Sequence, residues 1–214
     1  MRYSDRTDAG RALAQLLTER IPTLRDERPI VLAVPRGGVP VGAEVARALG
    51  APLDVFVARK LGAPGQEELG IGAVAPDGTR VIDRDIVDML GVSDEYIEEV
   101  TVRERAELER RLRRFRGDRP WPALADRAVI LVDDGLATGV TARASLAALR
   151  EEHPSRLVFA APVCSREGVM LLERDGFTAV CAMTPDNFQG VGVWYDDFTQ
   201  TSDEEVDALL RGDG

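Results

Sequence analysis

Asp133 and Asp134 are adjacent carboxylates that close the apolar run Val129–Val132 and open a loop of small and hydroxyl-bearing residues, Gly135–Thr141. Paired carboxylates repel a phosphate but accept hydrogen bonds from vicinal hydroxyls. The loop does the reverse. Small residues at Gly135, Ala137, Thr138 and Gly139 let backbone N–H groups approach an anion. The hydroxyls of Thr138 and Thr141 add donors, and a helix beginning at Val140 turns its positive end to the same place. One end suits a diol and the other a phosphate, which is the pattern of ribose 5-phosphate. Two further stretches supply positive charge. Arg36 follows the run Ile30–Val34 and precedes Gly37 and Gly38. Its guanidinium forks onto phosphate oxygens, and the glycines permit a strained backbone with N–H groups facing a ligand. Arg59 and Lys60 end the run Leu53–Ala58 and open a Gly/Pro/Glu-rich loop; Lys60 is the only lysine among 27 basic residues.

These residues need a scaffold that brings strand ends together. Ile30–Val34, Leu53–Ala58, Val129–Val132, Leu157–Val163 and Thr178–Met183 read as continuous apolar strands. Helical spacing occupies Val39–Leu49, Val140–Arg150, Arg166–Arg174 and Asp203–Arg211. Apolar strands alternating with helices predict a parallel sheet covered on both faces, with ligands at the C-terminal strand ends. Ile71–Ala75 and Arg80–Ile82 predict a hairpin around Pro76-Asp77-Gly78. Ser93 to Arg119 is different: a long charged helix capped by Ser93, with Glu99-Arg103, Glu107-Arg111 and Glu109-Arg113 at i,i+4 and one apolar seam, Leu108, Leu112 and Phe115. Residues 103–119 carry eight Arg against three Glu and one Asp in a chain of net charge −10. That cluster is either a solvated face or a surface that meets anions.

Composition removes several function classes. The acidic balance argues against general nucleic-acid binding, which needs clustered basic residues over a wide face. No apolar run reaches the ~20 residues of a membrane helix. The N-terminal segment shows no signal peptide, so the expected compartment is the cytoplasm. Cys164 and Cys181 have neither metal spacing nor a disulfide-scaffold context, and both are expected to be reduced. His153 is the only histidine and sits in a turn-like EEHPS, which disfavours a Ser-His-Asp triad or a His-rich zinc site. Gly70-Ile71-Gly72-Ala73-Val74-Ala75 matches G-x-G-x-x-A but leads into a turn instead of a helix, so it is no dinucleotide site.

The segment VILVDDGLATGVT, Val129–Thr141, resembles the phosphoribosyl-diphosphate (PRPP) signature of type I phosphoribosyltransferases. The resemblance implies that Asp133 and Asp134 contact the ribose hydroxyls and that Ala137–Thr141 cradle the 5-phosphate. IVLAVPRGGVPVGAEVARALG, Ile30–Gly50, is similar to the family's pyrophosphate loop, which implies a non-proline cis peptide near Arg36-Gly37. Val55–Ala73 resembles the Arg-Lys pair and mobile loop of orotate phosphoribosyltransferases, with Arg59 and Lys60 neutralising the leaving pyrophosphate. It departs from that pattern in lacking a further lysine; Glu67 and Glu68 stand in the loop instead. Asp186–Phe198 is similar to the tail of hypoxanthine–guanine enzymes, which maps Phe188 or Trp194 to base stacking and Asp196 to the acidic position.

From this resemblance we expect a type I phosphoribosyltransferase fold. It has a parallel sheet of about five strands, helices on both faces, a core near 30–183 and a hood from 1–29 and 184–214. The implied reaction displaces pyrophosphate from C1 of PRPP by a nitrogen nucleophile, with Mg²⁺ held mainly by the substrate and, on the protein, by Asp133 and Asp134. A nucleobase is the expected acceptor. Its class stays open, because Ala137 matches adenine- or orotate-type loops while the tail resembles oxopurine enzymes. Homodimers are common in the family. Two alternatives remain: a PRPP- or nucleotide-sensing regulator without turnover, and a hydrolase or phosphotransfer enzyme acting on a sugar phosphate.

Overall fold

The computed structural model describes residues 2–75, 78–117 and 119–212. Five strands, β1 (Ile30–Ala33), β2 (Leu53–Val55), β6 (Ala128–Val132), β7 (Arg156–Val163) and β8 (Thr178–Met183), form a parallel sheet in the order β2-β1-β6-β7-β8. Both faces are covered, which is why the strands are apolar at successive positions. Ile30, Leu32, Val129, Leu131 and Phe159 pack against α5 (Val140–Arg150) and α6 (Arg166–Arg174). Their neighbours Val31, Ile130, Val132, Val158 and Ala160 pack against α1 (Arg6–Arg20) and α2 (Gly38–Leu49).

From β1 the chain steps outward to β2, and from β6 it steps the other way to β7 and β8. The winding therefore reverses between β1 and β6. Crossovers leave a crevice at such a switch point, beyond the C-terminal strand ends. The loops after β1 and β6 both enter it, and these carry Arg36 and the Asp133-Asp134 pair.

A second, antiparallel sheet has the order β3-β4-β5, formed by β3 (Arg59–Ala63), β4 (Gln66–Val74) and β5 (Arg80–Ile82). The predicted hairpin is present, pairing Gly72 with Ile82 and Val74 with Arg80; Pro76 and Asp77 of its turn lie outside the described residues. Arg59–Ala63, expected as loop, is a strand because Leu61 and Ala63 are buried against Ile97, Val100 and Leu108. Those three belong to α4 (Asp94–Arg116), capped by Ser93 as expected. Of its expected pairs, Glu107–Arg111 and Glu109–Arg113 form, whereas Arg103 turns to Glu104. The C-terminal end of α4 is tied to β2. Arg116 donates to both Asp54 carboxylate oxygens at 2.9 Å, and both side chains are buried. α3 (Arg84–Leu90) precedes α4, and α7 (Asp203–Arg211) buries Val206 against Ala33, Val39 and Val55.

One expectation is overturned. Cys164 and Cys181 form a disulfide, with Cα atoms 6.0 Å apart. They are 17 residues apart in sequence, but Cys181 lies on β8 and Cys164 just beyond β7, its neighbour in the sheet. Sequence spacing carried no trace of that adjacency. No helix among the described residues is long and apolar enough to cross a membrane.

Candidate active site

The two switch-point loops are pressed together. Val34 N–H donates to the Val132 carbonyl at 2.8 Å. A Cβ on Gly38 would lie 2.7 Å from the Val132 carbonyl oxygen and 3.0 Å from Asp133 Cα; one on Gly37 would lie 2.0 Å from Asp134 Oδ2. The glycines are thus required by close approach. Gly37 has ordinary right-handed backbone (φ −59°), so the expected strained conformation is not what selects glycine there. The cis peptide expected near Arg36-Gly37 is at Pro35–Arg36.

Asp133 is half-buried and accepts from the Asp134 backbone N–H at 2.8 Å. Burial, and then the neighbouring Asp134 charge, hold its pKa well above the ordinary carboxylate range. Burial raises Asp134 as well, against the pull of Arg6, whose Nε donates to Asp134 Oδ2 at 2.9 Å. Sequence reasoning missed Arg6, which lies 128 residues away on α1. The same guanidinium donates to the Thr199 carbonyl at 2.7 Å and lies 4.0 Å from the Phe198 ring centroid. Tyr195 donates its phenol to the Asp134 carbonyl at 2.6 Å, and burial pushes that phenol's pKa up. The N-terminal helix and the C-terminal tail therefore both close on Asp134.

The loop of residues 135–141 is anchored before any ligand arrives. Leu136 N–H donates to the Val163 carbonyl at 2.9 Å, and Ser165 N–H to the Leu136 carbonyl at 2.7 Å. The Ser165 hydroxyl donates to the Ala137 carbonyl. Gly139 has φ +80°, and a Cβ there would meet Gly168 at 3.1 Å, so glycine is required twice over. Gly135 packs under Val191 of the tail. Ala137 and Thr138 remain exposed, followed by Val140 and Thr141 in the first turn of α5, whose N–H groups have no partner inside the helix.

Arg59 and Lys60 are successive strand residues and so point to opposite faces. Arg59 is held by Glu104 of α4 through Nε at 2.9 Å and Nη2 at 2.7 Å. Lys60 runs beside Gly70: a Cβ there would lie 3.3 Å from the lysine stem and 2.9 Å from Val140 Cγ1. Lys60 thus reaches the start of α5, while Arg59 is engaged away from it.

Arg36 faces a cavity of about 450 Å³ that also takes in Arg6, Gly37 and Asp134. A second cavity, about 560 Å³ and mostly apolar, lies on the other side of the loop and includes Thr138, Val140 and Arg143. The tail residues expected at a base site are placed differently. Phe188 and Trp194 pack with Tyr3, Val163 and Tyr195, and the Trp194 indole N–H is buried with no partner. Asp196 is exposed and lies 3.5 Å from Arg2. Glu67 is exposed; the side chain of Glu68 lies outside the described residues. Among the described residues, no three His, Cys, Asp or Glu side chains form a metal cage.

These loops carry a family identity. A family model described as a phosphoribosyl transferase domain matches residues 3–196. Proteins from two strains of Mycobacterium tuberculosis, each bearing the name "Putative phosphoribosyl transferase", are 43% identical over 208 residues, which is 97% of this chain. The chain spans 46% of the length of those curated relatives. The crystal structure of TT1426 from Thermus thermophilus is 42% identical, covers 98% of both chains and superposes with a TM-score of 0.87. A structure from Aquifex aeolicus, 11% identical with a TM-score of 0.53 over 96% of this chain and 84% of its own, shares the fold alone. With the crevice, its two loops and the terminal segments that close on Asp134 all inside or beside the matched residues, the chain belongs to the phosphoribosyl transferase domain family.

Proposed function

We propose that this domain transfers the 5-phosphoribosyl group of PRPP to a nitrogen acceptor of the nucleobase class and releases pyrophosphate. One observation carries the reading. The half-buried pair Asp133 and Asp134 sits at the switch point between an anchored small-residue loop and an arginine-lined cavity. A diol flanked by two phosphoryl ends matches that order. In this reading Asp133 and Asp134 accept from the ribose hydroxyls, and Gly135–Thr141 hold the 5-phosphate. Arg36, with Gly37 and Gly38, receives the pyrophosphate; Lys60 joins only by leaving its place beside α5, and Arg59 only by leaving Glu104. The chain's work is to position the two groups, exclude water and neutralise charge on the leaving group.

Mg²⁺ fits this site. Two carboxylates beside each other and only partly open to water favour an added positive charge, and Asp133 and Asp134 would hold the ion together with substrate oxygens. When bound it supplies charge for the departing pyrophosphate. Phe188 and Trp194 lie in the hood packing and Asp196 faces solvent, so in this reading the acceptor is gripped by other parts of the hood. We assign the core to about residues 30–183 together with α1, which covers one face of the parallel sheet where a hood over 1–29 was expected, and the hood to the remaining terminal segments, with a homodimer as the proposed assembly. The cytoplasm remains the proposed compartment, against which the Cys164–Cys181 bond stands as a contrary sign.

The test is pyrophosphate release from PRPP and Mg²⁺ across purine, pyrimidine and pyridine bases. Base-dependent release, abolished by Asp134→Asn and reduced by Lys60→Ala, is the expected result. Release without any base would make the protein a hydrolase. PRPP binding without release would make it a sensor, and absence of both would refute the PRPP reading.

A further inference from the structure

The arginines of α4 are more numerous than the packing of α4 requires. Its apolar seam holds the helix to the hairpin sheet, and the Arg116–Asp54 pair fixes its C-terminal end. Arg110, Arg111 and Arg114 contribute to neither. They line the 450 Å³ cavity together with Arg36 from the β1 loop and Arg6 from α1. Guanidinium groups from three separate elements thus converge on one space, where the lining carboxylates are Asp134 and Asp203 while Glu107 pairs with Arg110 and Arg111 and Asp207 with Arg114. Asp134 is already engaged by Arg6.

Asp203 occupies an unusual position. Its Oδ1 lies 3.4 Å from Arg36 Nη1, and its Oδ2 lies 3.4 Å from Arg114 Nε. Both distances exceed the ~2.7–2.9 Å of a good charge-assisted bond. One carboxylate therefore spans two arginines of different elements without satisfying either. Asp207, by contrast, meets Arg114 Nη1 at 2.8 Å and fixes that side chain from α7. A single planar carboxylate is too small an anion for this space. A diphosphate, with more charge and oxygens pointing in several directions, matches guanidiniums arriving from several sides.

We propose that Arg111 and Arg114 of α4 extend the pyrophosphate subsite begun by Arg36, and that Asp203 is its counter-ion until a diphosphate displaces it. This rests on the PRPP reading and adds to it a binding surface from a helix outside the parallel sheet. Asp203 then sets affinity by competition: the carboxylate must give way before the ligand's oxygens reach Arg36 and Arg114.

The experiment is isothermal titration calorimetry on the full chain, with inorganic pyrophosphate, inorganic phosphate, and PRPP plus Mg²⁺ as separate titrants. Arg111→Gln and Arg114→Gln should each weaken pyrophosphate and PRPP binding by roughly tenfold or more. Asp203→Asn should tighten both, a direction that a merely structural link between α7 and the cavity would not give. Salt should weaken pyrophosphate binding to the parent chain more steeply than to the arginine variants. Arg111 bonds to Glu107 of its own helix, so Arg111→Gln keeps the test valid if Arg114→Gln loosens α7. PRPP binding unchanged in all three variants would overturn this proposal and leave the PRPP reading standing, as would weaker binding in Asp203→Asn. Phosphate bound as tightly as pyrophosphate would overturn the diphosphate assignment. A parent chain that binds neither PRPP nor pyrophosphate would overturn both readings.

Discussion

Replacing Asp54 with alanine isolates the contact that holds α4 against the parallel sheet. Asp54 and Arg116 are each 8% exposed, and two bonds of 2.9 Å join them. Arg116 also donates to the Pro120 carbonyl at 2.7 Å and lies 4.8 Å from the Trp121 ring centroid. Asp54→Ala leaves that guanidinium buried without its counter-charge. Breaking a buried pair from one side costs about 3–5 kcal/mol. In a domain of this size each kcal/mol lowers Tm by about 2–4 °C, so the midpoint should fall by about 6–20 °C. Removing both charges is a different perturbation. Asp54→Leu with Arg116→Met keeps the volume and strands no charge, and should recover most of the loss. Urea unfolding followed by tryptophan fluorescence reads both, because Trp121 sits on the pair. A cost below about 1 kcal/mol for Asp54→Ala would place the pair with exposed ones and refute the argument. So would a double variant no better than the single one. Below its new midpoint, Asp54→Ala should also bind pyrophosphate more weakly, since the helix bearing Arg111 and Arg114 has lost its tie.

Gly38→Ala should lose PRPP binding and about 1–3 kcal/mol of stability, because its Cβ would sit 2.7 Å from the Val132 carbonyl oxygen and backbone cannot retreat as a side chain can; calorimetry with PRPP and a melting curve check both, and intact PRPP binding would refute the packing argument. The Asp pair sets a pH dependence of unusual sign. Both pKa values are raised in the fold from an ordinary 3.8, so the native state holds more protons than the unfolded chain above that pH. Their stabilising contribution is complete below about pH 3.8 and is lost as pH rises through the raised values. Asp133→Asn should therefore raise the ligand-free Tm at pH 7, flatten its pH dependence and abolish PRPP binding; a lower Tm at pH 7 would contradict the burial argument. Arg6→Ala removes a charge-assisted bond worth about 1.5–3 kcal/mol and unties the tail at Thr199, so it should lower Tm and expose residues 196–200 to faster amide exchange.

What was legible in the sequence was local. Val140–Arg150, Arg166–Arg174 and Thr178–Met183 have the bounds their apolar spacing predicts. Val129–Thr141 was readable because strand, carboxylates, loop and helix follow one another without interruption. What escaped depends on pairs distant in sequence. Arg6 reaches Asp134, Arg116 reaches Asp54 and Arg59 reaches Glu104 only after the sheet has ordered its strands. Cys164 and Cys181 escaped for the same reason, since strand adjacency has no signature in spacing. Phe188 and Trp194 show what residue type leaves open. Their residue types suit a base platform, but the tail uses them to bury its own apolar surface against Tyr3 and Val163.

The arginine-rich helix stands out against the net acidic charge of the chain. The chain carries a net charge of −10, yet five guanidinium groups line one cavity at the switch point. Surface charge is felt over a Debye length of about 8 Å at physiological ionic strength. On the proposed reading an extended polyanion would gain from these arginines only where it enters the crevice, while the net charge of −10 would oppose the rest of it. On that reading a compact polyanion would place its charge inside the cavity, among five arginines whose present partners are Asp134, Asp203, Glu107 and Asp207. The same geometry explains how an acidic protein can tolerate two half-buried, mutually repelling carboxylates at its centre. Arg6 offsets part of their cost, and on the proposed reading a substrate that brings hydroxyl donors to the pair and phosphoryl groups to the arginines would offset the remainder.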